Sequence, residues 1–221
     1  MPTAPPSATL EVHPPALTPR VRQLIVLGVA LSTAATLIGT AFSPVLAVRS
    51  PLLLVALCAD MRHLILAAPQ VDAAWLIPVG ALRRAAGMST TYGFGALWGF
   101  VAVRWAGRRS PLAARVLDWV ERTFQRVGLP LLFVVPSYTL CLLSGAARLS
   151  FRGFLLTVLP GQVVWTALTV YAGDQLSGWT ALVLAFLERH LLASTAVCVA
   201  AVLAQQLWSR RQKVRAARGE A

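Results

Sequence analysis

Charged residues are scarce in this chain. They make up 13% of its 221 residues, against about 25% in an ordinary soluble domain. Acids are scarcer still, 8 Asp and Glu against 20 Lys and Arg, for a formal net charge of +12. So apolar a composition excludes a disordered chain and argues against a soluble globular enzyme. Cysteine is also sparse. Cys58, Cys141 and Cys198 are odd in number and form no paired motif, which excludes a disulfide framework and a CxxC metal site. Three histidines without an acid-rich motif give no ground to expect a metal or other cofactor. HExxH, GxSxG and P-loop motifs are missing, so the chain is read as not an enzyme.

What is present is apolar. Hydrophobic residues reach 57% and the mean hydropathy is +0.68. Five charge-free windows, Gln23–Val48, Ala85–Val103, Val127–Ala147, Gly153–Gly173 and His190–Ser209, are each long enough to cross about 30 Å of hydrocarbon as a helix. Three shorter runs, Ser50–Ala59, His63–Val71 and Ala73–Leu82, lie between the first two windows, interrupted by Asp60, Arg62 and Asp72. Runs this short enter a bilayer and return, or pack as half-helices inside a bundle. Residues 1–19 are Pro-rich and uncharged except Glu11, a flexible tail. Arg20 and Arg22 precede the first window, whose 26 residues exceed the roughly 7–15 of a signal peptide. An uncleaved membrane helix ending near Pro44 is expected.

The bases set the topology. Nineteen of the 20 are Arg, and they flank apolar runs as the positive-inside rule requires. This favours topology and anionic headgroups over nucleic acid. If all five windows cross, the cluster from Arg104 to Arg126 and the basic tail from Arg210 fall on opposite sides, against that rule. If Val127–Ala147 enters and returns, fifteen of the 20 bases become cytoplasmic. That window also carries Pro130 and Pro136, which break helices. Residues 115–127 place Val116, Val120, Phe124 and Val127 opposite Arg115, Asp118, Arg122 and Arg126, an amphipathic helix at the cytoplasmic interface. The expected fold is all-α. It is a polytopic bacterial inner-membrane protein with about four transmembrane helices and two re-entrant hairpins in an inverted repeat. The hairpins are 50–82, from outside, and 129–147, from the cytoplasm. Residues 1–19 form a tail, 20–209 a single transmembrane domain and 210–221 a basic cytoplasmic tail, with both termini cytoplasmic. Gly80-Ala-Leu-Arg83 after the first hairpin echoes Gly145-Ala-Ala-Arg148 after the second.

Residues 136–155, PSYTLCLLSGAARLSFRGFL, resemble the second half of the DedA (VTT, SNARE-associated) membrane family. There a re-entrant proline hairpin runs into a Gly-Ala-x-Arg-like turn and then into a helix carrying Gly and Trp, matched here by Gly161 and Trp165. Ser50-Pro51, Arg62-His63, Arg83-Arg84 and the Tyr92-Gly-x-Gly-x-x-x-Gly99 stretch resemble its divergent actinobacterial-type branch. The resemblance covers roughly residues 50–176 and implies translocation of an anionic lipid, a polyprenyl phosphate or a phospholipid, with ion coupling in some members. The family's better-known pattern is departed from in both hairpins: the first lacks the acidic, proline-rich element, and the second differs at two positions. Arg three residues before and after the hairpin proline is replaced by Phe133 and Thr139. A non-transporting scaffold or assembly factor of the same fold is therefore the alternative.

Candidate residues follow. Arg83, Arg148, Arg152 and Tyr138 would bind the lipid phosphate, since guanidinium pairs well with phosphate. Flanking by the positive-inside rule is the favoured explanation of Arg148 and Arg152, and snorkelling explains Arg83 equally well. Asp60, Arg62 and Pro136 belong to the hairpins and to ion coupling, with His63 as a titratable neighbour. A solvated turn between half-helices accounts for Asp60, Arg62 and His63 as well. Ser137 and Tyr138 either reach the phosphate or satisfy broken backbone groups. The expected partners are anionic lipids and, compatibly with the sequence, further copies of the chain, but not nucleic acid. Single cysteines placed in 105–126 and in 210–221 are expected to react from the cytoplasmic side alone. Labelling of the two segments from opposite sides refutes the re-entrant 127–147 segment.

Overall fold

The computed structural model describes residues 19–99, 128–147 and 149–217. Arg148, the bases from Arg104 to Arg126, the amphipathic 115–127 segment and the tail before Pro19 lie outside the described residues. Within them the chain is helical, without a strand. Helix α1 spans Pro19–Ala41, α2 Ser43–Arg49, α3 Pro51–Leu57, α4 Met61–Ala67 and α5 Ala73–Phe94. A π-helical turn, Gly95–Gly99, extends α5. Residues 128–134 are helical. Helix α6 then spans Tyr138–Ala146, α7 Phe151–Gln175, α8 Ser177–Arg189 and α9 Leu191–Ala217.

Local chemistry sets these boundaries. Pro44 and Pro51 open α2 and α3, where a missing N–H is no loss. Asp72 caps α5 by accepting from the Ala74 amide at 2.8 Å. Ser137 and Ser150 cap α6 and α7 by accepting from Leu140 and Gly153, each at 3.3 Å. Helices α1, α7 and residues 191–209 of α9 are long and apolar enough to cross a membrane. They turn apolar side chains outward. Leu24 and Leu31 on α1, and Leu192 and Leu203 on α9, are exposed, the reverse of a water-facing helix. Helix α1 ends at Ala41, close to the expected Pro44.

Two boundaries differ from expectation. Helix α5 runs unbroken through Arg83 and Arg84, where charge was expected to separate a short run from the next window. Both guanidinium groups find acceptors on neighbouring helices and the adjacent chain break, so the charge does not end the helix. Helix α9 continues to Ala217, through most of the expected tail.

Helices α5 and α7 form an antiparallel spine. Descending α5 while climbing α7, Tyr92 stacks on Phe154 at 4.5 Å, Arg84 bonds Gln162 at 2.7 Å, and a Cβ on Gly80 would lie 3.0 Å from Thr166. An apolar core lies at each end of the spine. Val55, Leu64, Leu76 and Val170 form one, around α3 and α4. Met88, Leu132, Cys141, Phe154 and Val158 form the other, around residues 128–134 and α6. The second core depends on glycine. A Cβ on Gly145 would collide with the Tyr92 carbonyl, and one on Gly95 with the Leu142 carbonyl. Backbone cannot yield as a side chain can, and overpacking costs about 1–3 kcal/mol even where side chains adjust. Gly145→Ala is therefore expected to lower the melting temperature in detergent. Gly178→Ala, where a Cβ meets only open space, is expected to leave it unchanged.

Candidate functional site

Two chain breaks organise the site. One, Cys58–Asp60, separates α3 from α4, and the other, Val135–Ser137, separates residues 128–134 from α6. A broken helix leaves carbonyls without partners, and a bilayer interior supplies no water for them. Side chains from other helices take that role. At the first break Arg83 Nε donates to the Leu57 carbonyl at 3.0 Å and Arg84 Nη1 to the Ala59 carbonyl at 3.3 Å. His63 Nδ1 lies 3.0 Å from the Cys58 carbonyl. At the second break Trp165 Nε1 donates to the Val134 carbonyl at 3.0 Å, and the neighbouring Gly161 makes room, since its Cβ would lie 3.2 Å from the Phe133 carbonyl. Before α7, the Tyr92 hydroxyl donates to the Leu149 carbonyl.

The two arginines are held differently. Arg83 also reaches α1, through Nη1 to Ser32 Oγ at 3.3 Å and Nη2 to the Ser32 carbonyl and Thr36 Oγ1 at 3.1 and 3.0 Å. That engages four of its five N–H groups. Arg84 bonds the buried Gln162 through Nε at 2.7 Å, and Gln162 in turn contacts Met88 Sδ at 3.1 Å. Arg84 Nη2 makes no hydrogen bond among the described residues.

Between these groups lies a cavity of about 520 Å³, within the size range of small-molecule sites. Its wall includes Ser32 and Thr36 of α1, Cys58 and Asp60 of the first break, Arg83, Arg84 and Gly87 of α5, and Tyr138 of α6. Tyr138 approaches through a glycine, since a Cβ on Gly87 would lie 3.2 Å from its hydroxyl. Two guanidinium groups against one carboxylate make this cavity favourable to an anion.

Three residues expected at the site, Arg83, Tyr138 and Asp60, thus share one cavity. Pro136 lies in the second break, and Ser137 caps α6 rather than facing the cavity. Arg62 is exposed, 3.4 Å from Asp60, a solvated pair of little energetic weight. With the buried His63 it lines a separate apolar cleft of about 730 Å³ against α8 and α9. Arg152 is exposed at the start of α7 and does not line the cavity. Arg148 lies outside the described residues. Arg84, Gln162, Ser32 and Thr36 were not expected at the site. Their traces are visible in the sequence: Ser32, Thr36 and Thr40 recur every fourth residue of an apolar helix, and Gln162 is the one amide of its charge-free window.

Comparison of the chain with protein families, curated proteins and solved structures finds no match. Function is therefore argued from the chemistry of the site.

Arg83→Ala and Arg83→Lys are both expected to lower the melting temperature, because an ammonium cannot span acceptors on two elements as a guanidinium does. Each hydrogen bond lost from a charged donor costs about 1.5–3 kcal/mol. Arg62→Ala, measured alongside in the same detergent, is expected to change little.

Proposed function

We propose that this chain is a DedA-like transporter that moves an anionic lipid, a polyprenyl phosphate or a phospholipid, between the leaflets of the bacterial inner membrane. The observation that carries this reading is the cavity in which Arg83, Arg84 and Tyr138 meet beside the first chain break. Arg84 is the phosphate-holding group, because its Nη2 retains donors after the bonds to Gln162 and Ala59. Guanidinium binds phosphate through such paired donors. The Tyr138 hydroxyl supplies a further donor, and Arg83 positions the cavity wall. Arg148 and Arg152 receive the headgroup at the cytoplasmic mouth, and Asp60 is the acid available for ion coupling.

The fold reading behind this is four full spans, α1, α5 with its π turn, α7 and α9, with two re-entrant hairpins around the breaks. An antiparallel spine with one interrupted element and one core at each end is the arrangement an inverted repeat produces. The side assignments have support as well. Arg22 lies over Trp98 at 5.9 Å, bringing the start of α1 to the end of α5. Tyr92 bonds Leu149, bringing the start of α7 to the same end. Ser43 lies 3.9 Å from Cys198, so α9 runs back from the far end of α1. These contacts put the start of α1, the end of α5 and the start of α7 at one end, as cytoplasmic termini require.

The test is transfer of a labelled polyprenyl phosphate, and separately of a labelled anionic phospholipid, across proteoliposomes. Arg84→Ala is expected to abolish transfer in a sample that stays monodisperse, with a lower melting temperature because the Ala59 carbonyl and Gln162 lose their partner, and Arg148→Ala to abolish transfer as well. Full transfer in Arg84→Ala removes its assigned role. Failure of folded, oriented wild type to move either lipid favours the scaffold alternative, for which the Phe133 and Thr139 positions speak.

A further inference from the structure

We propose that Cys58, Asp60 and His63 form a binding site for a divalent transition-metal ion, zinc(II) by its donor set, at the break between α3 and α4. One donor atom from each, the thiol sulfur, a carboxylate oxygen and an imidazole nitrogen, lies within 4.8 Å of both others. Ligands of one tetrahedral ion at bond lengths of about 2.0–2.3 Å stand closer than this, so modest side-chain closure completes the site. Thiolate, imidazole and carboxylate together suit zinc rather than the all-oxygen preference of magnesium or calcium.

The break itself creates this cluster. In a continuous helix, residues two apart do not share a face. Here Cys58 and Asp60 have extended backbones, with φ, ψ of −143°, 92° and −69°, 154°, which turn both side chains to the side from which His63 rises in the first turn of α4. Each donor is available. The Asp60 carboxylate makes no capping bond to α4, although it stands at the N-cap, and its ion pair with Arg62 is exposed and long. Cys58 is free of any disulfide, with its sulfur 3.8 Å from Thr40 Oγ1. His63 is buried and held against the break by its contact with the Cys58 carbonyl.

Electrostatics permit the ion despite Arg83 and Arg84 in the same wall. Binding deprotonates the Cys58 thiol, and its proton leaves to solvent. Zinc, one thiolate, one carboxylate and a neutral imidazole then sum to zero, one unit above the metal-free cluster with its thiol protonated. Three protein donors leave a tetrahedral ion one more position, for water or an anion. The ion would fasten the broken segment where two cavities adjoin, since Cys58 and Asp60 line the first and His63 the second. This assignment stands whether or not the chain moves lipid; while the ion is bound, Asp60 serves as its ligand and not in ion coupling.

The test uses tag-free full-length protein in detergent, stripped with chelator and titrated with cobalt(II). One cobalt per chain with a thiolate-to-cobalt charge-transfer absorption, displaced by zinc, is expected. The band is expected to vanish in Cys58→Ala and to persist in the Cys141→Ala/Cys198→Ala double variant. His63→Gln and the exposed Asp60→Asn should each weaken binding about tenfold or more, since even outer-shell changes at metal sites cost 10–100-fold. No band in folded wild type overturns the proposal. So does a band that survives in Cys58→Ala, or affinity unchanged in both Asp60→Asn and His63→Gln.

Discussion

Broken backbone in an apolar layer must find hydrogen-bond donors, and the structure depends on how this chain supplies them. Carbonyls of Leu57, Cys58, Ala59, Val134 and Leu149 each face a side chain of Arg, His, Trp or Tyr. Neither partner is tolerable alone. An uncapped carbonyl costs several kcal/mol in hydrocarbon, and so does a buried guanidinium without acceptors. Together each removes the other's cost. These contacts therefore fix where α5 and α7 stand relative to the two breaks, the further bonds from Arg83 to Ser32 and Thr36 add α1, and the small residues between them follow from the closeness this requires.

The same contacts divide the work of the two adjacent arginines. Arg83 is tied into α1 and the first break through four donors, and rigidity is what it contributes. Arg84 is tied by two, one of them to an amide that Met88 holds in place. A charge positioned by part of its hydrogen-bonding capacity, with the rest directed to a cavity, is the arrangement that binds a ligand without losing its place. The Arg84 guanidinium is thereby held by the spine rather than by a loop.

Much of the fold was legible in the sequence, for reasons that mark where legibility ends. Helices α1, α7 and α9 announce themselves by length and hydropathy, which are properties of a segment alone. The breaks near Asp60 and Pro136 are equally local. Helix α5 was not legible, because Arg83 and Arg84 end an apolar run on paper and acquire their acceptors from Ser32, Thr36, Leu57, Ala59 and Gln162, which are distant in sequence. Of the residues that line the cavity, Arg83, Tyr138 and Asp60 were singled out in the sequence because charge or aromaticity beside a break is conspicuous. Arg84 and Gln162 were missed because their roles exist only as a pair. The Cys58–Asp60–His63 cluster was passed over because Cys58 belongs to no paired motif and His63 to no acid-rich one, and the break brings the three together only in space.

The distances along the chain between each carbonyl and its donor carry a consequence for biogenesis. Leu57 waits 26 residues for Arg83, and Val134 waits 31 for Trp165. At about 5–20 residues per second, each break spends about one to six seconds of synthesis without its partner. Segments of seven residues, such as α3 and α4, are about 10 Å long and cannot hold a place in the bilayer by themselves. Insertion is thus ordered: the short pieces upstream are made first, and they settle only once the long helix downstream has arrived. The nascent chain carries its least soluble backbone in the part of the protein that is last to be secured.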